Sequence, residues 1–304
     1  MWFKNLAVYR LPAGLKLNIP ALEEKLATLT MQPCGNMDRE TRGWISPRGD
    51  DRLLHVLNGQ VLIALGMEAK LLPSSVVNQF AEDKAAEIEA QQGFKVGRKQ
   101  MRELKDQVTD ELLPRAFVRR AQTWAWIDPV NGWFVVDVAT PAKAEALLEA
   151  LSKSVDDLPV KNLHTELSPA TAMTDWLLSG EAPAGFSIDR DLELRAADEG
   201  KATVRYVRHE LEGEEVAAQI AAHLAAGKQA TRLGMTWNDR ISFVLGEQME
   251  VKRLTFLDIL KEQTEAGESA DEQFDLDFAL MSGEVAKLLA DLVAALGGEK
   301  AAAI

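Results

Sequence analysis

The sequence predicts an α+β fold of mainly antiparallel sheets with interspersed helices. Three observations point there: turn dipeptides set between apolar runs of strand length, helix-length segments opened by Ser or Pro and closed by Gly, and hairpin signals recurring from end to end. The first strand is Trp2 to Leu11, rich in aromatic and branched side chains and stopped by Pro12. Pro20 suits the first turn of a helix reaching about Leu29. Asn58-Gly59 separates Leu53-Leu54-His55-Val56-Leu57 from Val61-Leu62-Ile63-Ala64-Leu65. Such a pair tolerates the positive φ angles of a tight hairpin.

After Pro73, Ser74 or Ser75 is expected to cap a helix that runs to Gln92 and stops at Gly93. A second helix spans about Arg98 to Leu112 and ends at Pro114. Residues 116–139 read as a hairpin turning at Asp128-Pro129-Val130-Asn131-Gly132, and a helix from Pro141 to about Lys153 follows. A short strand near 159–163 precedes a helix from Ser168 to Leu178, closed by Gly180. A hairpin over 191–209 turns at Asp198-Glu199-Gly200, and an Ala-rich helix runs from about Glu214 to Ala226. Strands are expected near 229–237, 240–246 and 250–256, then a helix near Leu257. The alternation in Phe274-Asp275-Leu276-Asp277-Phe278 reads as a half-buried strand, and a last helix covers about Ser282 to Leu296.

The hairpin-helix pattern restarts near residue 165. This suggests a first α+β domain of residues 1–73 and 116–165, a helical excursion over 74–115, and a second α+β domain over 166–304. The 304 residues carry 34 Lys+Arg against 47 Asp+Glu, a net charge of −13. That balance excludes a generic basic coat for nucleic acid, which needs the opposite sign over the whole surface. The single Cys34 excludes an intrachain disulfide and a thiolate metal cluster within one chain, and is expected to be a buried or half-buried thiol in a reducing cytosol. No stretch approaches the ~18 apolar residues of a spanning helix, and Met1-Trp2-Phe3-Lys4 is no signal peptide, so a cytoplasmic protein without membrane contact is expected.

Sites of chemistry are scarce. No phosphate-cradling Gly loop precedes Gly227-Lys228, no Gly-x-Ser-x-Gly elbow occurs, and His55, His164, His209 and His223 lack metal-ligand spacing. No cofactor is expected. The best enzyme-like set is Asp275, Asp277 and Glu284, which could hold Mg²⁺ if the first two share a strand face. A half-buried strand and an acidic helix N-terminus explain the same residues.

Charge is segregated along the chain. Between residues 95 and 120 stand Lys95, Arg98, Lys99, Arg102, Lys105, Arg115, Arg119 and Arg120 against Glu103, Asp106, Asp110 and Glu111. That segment is net positive, and the remainder is more acidic than the whole. At about 100° per residue, Arg98, Lys99, Arg102 and Lys105 share roughly a third of a helix circumference, with Asp106 among them, while Met101, Leu104 and Val108 occupy another arc. Arg119 and Arg120 are adjacent on an expected strand, so their side chains leave by opposite faces. One is expected to line a basic surface, and the other to pair with an acid or reach a subunit boundary. Lys201, Arg205, Arg208, Lys228 and Arg232 form a weaker basic set in the second half.

Several stretches together resemble the bacterial recombination-associated protein RdgC family. They include Trp2-Phe3-Lys4-Asn5-Leu6, Pro33-Cys34-Gly35, Asn58-Gly59-Gln60, Leu112-Leu113-Pro114-Arg115-Ala116-Phe117, Trp126-Ile127-Asp128 and Lys252-Arg253-Leu254. The matches continue through Phe274-Asp275 to Gly283-Glu284 and cover residues 2 to about 298 in the family's order. The resemblance implies a DNA-binding protein without catalytic activity, a ring-forming homodimer whose basic hole admits duplex DNA. It implies binding of single- and double-stranded DNA with little sequence preference, association with the nucleoid, and limited access of the recombinase RecA to DNA. On that reading Arg98, Lys99, Arg102, Lys105, Arg115 and Arg119 contact phosphate, with Lys201, Arg205, Arg208, Lys228 and Arg232 as further contributors. Arg120 stands where part of the family is expected to carry an aromatic residue, so a gate-like subunit contact at this position is expected to be built differently or to be replaced by a phosphate contact. Two other readings are an acidic DNA mimic that occupies a DNA-binding partner and a Mg²⁺-dependent nuclease.

Overall fold

The computed structural model describes residues 1–156, 158–198, 200–257 and 269–300. Its strands are β1 (Leu6–Arg10), β2 (Glu40–Ile45), β3 (Leu54–Leu57), β4 (Gln60–Leu71), β5 (Phe117–Asp128) and β6 (Trp133–Asp137), then β7 (Lys161–Asn162), β8 (Phe186–Ala196), β9 (Thr203–Tyr206), β10 (Lys228–Trp237), β11 (Ile241–Gly246) and β12 (Val251–Phe256). They form one 12-stranded sheet in the order β2-β4-β5-β6-β1-β12-β11-β10-β8-β9, with β3 added on β4 and β7 on β1. Every paired strand runs antiparallel to its neighbour, as the hairpin signals predict. The described residues hold seven α-helices: α1 (Ile19–Ala27), α2 (Ser74–Gln92), α3 (Arg98–Leu112), α4 (Pro141–Ser154), α5 (Pro169–Ser179), α6 (Glu214–Ala225) and α7 (Ala270–Ala295).

Strand alternation sorts the apolar residues into two layers. Val61, Ile63, Ala125, Ile127, Phe134 and Val136 point to one face and pack on Leu22 and Leu26 of α1 and on Leu147 and Leu151 of α4. Leu62, Trp126, Val135 and Leu6 point the other way, into a larger core shared with Leu233, Met235, Phe243 and Leu245, with α5 and α6, and with Phe278, Met281, Leu288 and Leu292 of α7. The sheet is continuous across residue 165, because β1 pairs with β6 on one side and β12 on the other. The β1–β12 join is narrow: its register rests on Leu6 opposite Val251, with Leu254 N–H donating to Lys4 O at 2.8 Å.

Several boundaries differ from the expectations. Asn58 (φ 51°) and Gly59 (φ 78°) form the expected turn. At α2, however, Pro73 occupies the cap position without a side-chain bond, and Ser74 is already helical. The strand assigned to Phe274–Phe278 is part of α7, which starts far earlier than Ser282. Ser269 caps it by accepting the Glu272 N–H at 3.1 Å, so a Ser-x-x-Glu start signal outranked a five-residue alternation. The strand near 159–163 contracts to Lys161–Asn162, and β8 begins at Phe186. A helix is expected near Leu257; that residue is not helical, and the residues that follow it, like the turn residue Glu199, lie outside the described residues.

Candidate nucleic-acid interface

The basic helix is carried on an extension of the sheet. β4 and β5 pair from Val61 opposite Ile127 to Leu71 opposite Phe117, buried at the first end and exposed at the second. From that exposed end α2 leaves and α3 returns. Gly93 closes α2 in the left-handed conformation (φ 77°), and the two helices share a small core of Val77, Ala81, Ala85, Leu104 and Val108. Lys84 Nζ reaches Glu111 Oε1 at 2.6 Å across the pair. With the Leu104 and Val108 face packed on α2, Arg98, Lys99 and Arg102 are left exposed and Lys105 half-buried. Lys99 approaches Glu103 only to 4.0 Å on a fully solvated turn, a pair of little energetic weight. Arg98, Arg102, Lys105, Arg115 and Arg119 enter no ion pair with another described residue.

The two adjacent arginines of β5 divide as strand geometry requires. Arg119 lies opposite Ala69, whereas Arg120 lies opposite Glu68 and places Nε 2.8 Å from its Oε1. The other oxygen, Oε2, accepts the Cys34 N–H at 2.8 Å, so Glu68 ties the half-buried Cys34 loop to β5. The bond from Cys34 and then that from Arg120 hold the Glu68 carboxyl below the usual range. Arg120 therefore serves as the partner of an acid within its own chain.

In the second half the basic set is organised by another glutamate. Glu193 of β8 stands opposite Arg205 of β9 and Arg232 of β10 in one row across three strands. It is buried, with Oε2 2.7 Å from Arg205 Nε and 3.7 Å from Arg232 Nη1, while Oε1 accepts the Thr231 hydroxyl at 3.0 Å. Burial pushes this carboxyl up, but the bonds from Thr231 and Arg205, with the charge of Arg232, outweigh it and hold it below the ordinary value. Arg208 has a positive φ of 56° and donates its backbone N–H to Asp191 Oδ1 at 3.1 Å. Lys201 is exposed in a turn (φ 44°), and Lys228 is half-buried at the start of β10. In strand order this set is separated from β4 and β5 by β6, β1, β12 and β11. Glu68 and Glu193 went unnoticed in the sequence. Glu68 is the one acid of β4, a readable sign of a paired carboxylate, whereas Glu193 follows Asp189 and Asp191 on β8 and nothing local singles it out.

The three carboxylates considered for Mg²⁺ do not converge. Two residues apart on a helix are about 200° apart, so Asp275 and Asp277 face different ways. Asp275 Oδ1 lies 3.4 Å from Arg48 Nη1 and 3.3 Å from His55 Nε2. Asp277 holds the Met1 ammonium and accepts from Gln273, and Glu284 is 2.8 Å from Arg240 Nε and 3.1 Å from Lys287 Nζ. Among the described residues no three His, Cys, Asp or Glu side chains gather as a metal site. Nor is any described helix long and apolar enough to cross a membrane.

A family model described as "Putative exonuclease, RdgC" matches residues 1–299. The chain belongs to the RdgC family. The Recombination-associated protein RdgC of Herminiimonas arsenicoxydans is 57% identical over 302 residues, covering 99% of each chain. That of Janthinobacterium sp. (strain Marseille) is 56% identical over 98% of this chain and 99% of its own, and that of Dechloromonas aromatica 56% identical over 98% of both. These RdgC relatives are named for recombination and for no reaction, whereas the family description names an exonuclease. The α2–α3 extension and both buried glutamates thus belong to an RdgC chain matched over nearly its whole length.

Proposed function

We propose that this chain binds DNA without sequence preference and acts in recombination by occupying DNA, not by cutting it. The observation that carries the reading is the set of cations from α3 to the start of β5, of which Arg98, Arg102, Lys105, Arg115 and Arg119 enter no ion pair among the described residues, in a protein of net charge −13. Arg98, Lys99, Arg102, Lys105, Arg115 and Arg119 would neutralise phosphates, while the acidic remainder repels DNA from other faces. Contacts confined to phosphate carry no sequence code. Following the family resemblance, two copies close into a ring around duplex DNA, bind single strands as well, limit the access of RecA, and associate with the nucleoid. Lys201, Arg205, Arg208, Lys228 and Arg232 are weaker contributors.

Retention on circular duplex, compared with the same DNA linearised and washed at high salt, tests the threaded form. A closed ring stays on the circle and slides off the free ends; equal loss from both removes encirclement. Incubating plasmid with protein and Mg²⁺ tests the nuclease alternative, and cleavage that disappears in the Asp275→Asn variant would overturn a purely binding role.

A further inference from the structure

We propose that Phe94, at the turn between α2 and α3, stacks on an unpaired base of single-stranded DNA. The inference rests on the DNA-binding reading above. Phe94 is 65% exposed although the hairpin's own core lies beside it, and Val96, two residues on, packs into that core. The turn is braced. Gly93 N–H donates to Glu89 O at 2.9 Å, Val96 N–H donates to Glu89 Oε1 at 2.7 Å, and Met101 N–H donates to Gly97 O at 2.9 Å. With Glu89 holding both sides of the turn, Val96 is drawn inward and the aromatic ring stays outside.

Its surroundings select the occupant. Lys95, Arg98 and Lys99 are exposed within five residues of it along the chain, and the carboxylate at the turn, Glu89, is engaged by the Val96 N–H, so the turn's free charge is cationic. An apolar protein partner would have to desolvate these charges, whereas a nucleic acid strand offers phosphate to the cations and an aromatic face to the ring. Base–aromatic stacking tolerates any base, which agrees with binding that reads no sequence. In an intact duplex the bases are already stacked, and the ring gains little there.

The test uses the full chain and labelled single-stranded and duplex oligonucleotides of one length, read by fluorescence anisotropy. Phe94→Ala is expected to weaken single-strand binding by about 5- to 150-fold, the range of one aromatic–base stack. Duplex binding should change less than about threefold, and the salt slope should stay, since no phosphate contact is lost. Phe94→Trp should keep the affinity and add fluorescence that single-stranded DNA quenches. Equal losses on both DNAs, full affinity in Phe94→Leu, or a changed sedimentation of the free Phe94→Ala protein would each overturn the stack, the last by showing a contact between copies. If Arg98→Glu with Arg102→Glu leaves all DNA binding intact, the DNA reading itself fails, whatever Phe94 does.

Discussion

On α3 the guanidinium groups of Arg98 and Arg102 face solvent without an acidic partner among the described residues, whereas those of Arg205 and Arg232 converge on one buried carboxylate, Glu193. Both regions add basic residues to the sequence, but they differ in the charge they can offer a ligand. The row Arg205–Glu193–Arg232 sums to a single positive charge. To hold a phosphate, Arg205 would also have to give up part of a hydrogen bond and Arg232 part of its attraction to the same carboxylate. Arg98 and Arg102, without an acidic partner among the described residues, give up only water, so a count of Lys and Arg overstates the second region relative to the first.

Reversing the first region should produce the largest effect. Arg98→Glu, Arg102→Glu and Arg119→Glu together are expected to weaken duplex binding on the order of 100-fold or more at ~0.1 M salt, and to flatten the log–log salt slope by about three phosphate contacts. A titration series by anisotropy reads both. Should the slope survive unchanged, the comparison is broken at its root. Arg205→Ala with Arg232→Ala is expected to cost less than about tenfold in affinity. It should also lower stability by about 1–3 kcal/mol, because the buried Glu193 loses its charged partners, and urea denaturation measures that loss. Glu193→Gln sharpens the contrast in the opposite sense: one more unit of positive charge in the row should tighten DNA binding by roughly two- to threefold.

The smallest effect is expected in the frame that carries both regions. Burial holds His55 below its ordinary value of 6.5 against the opposing pull of Asp275. The stability linked to the neutral ring is therefore present above about pH 6.5 and lost as pH falls through the lower folded value. His55→Gln should flatten that part of the stability–pH curve, measured by denaturation between pH 7.5 and 5; an unchanged curve would show that His55 does not titrate with folding.

Much of the fold was legible because its signals are local. Asn58-Gly59, Pro141, Ser168 and Gly180 act through their own φ angles and caps, and the structure uses each as the sequence suggests. The start of α7 was missed although Ser269 and Glu272 announce it, since the alternation at Phe274–Phe278 imitates strand periodicity. The basic face of α3 was readable from helical spacing alone. That one of Arg119 and Arg120 pairs with an acid followed from strand alternation, but which one does, and that Arg205 and Arg232 share an acid, did not, because strand register decides it. Nothing local places Arg120 beside Glu68, 52 residues away, or makes Arg205 and Arg232 share Glu193.

The single-register join between β1 and β12 also bears on mechanics. Backbone hydrogen bonds stiffen a sheet along each ladder, and at this seam the ladder is too short to transmit shear. The load passes instead through the shared core and through α7, which is pinned to the first half by Arg48 at Asp275 and to the second by Trp237 at Asp291 and Arg240 at Glu284. The molecule is in this sense a beam with a flexure in its web and a strut across it. Bending between the halves would be resisted by the buried core they share and by these side-chain ties on α7, and it would leave the paired strands on either side intact.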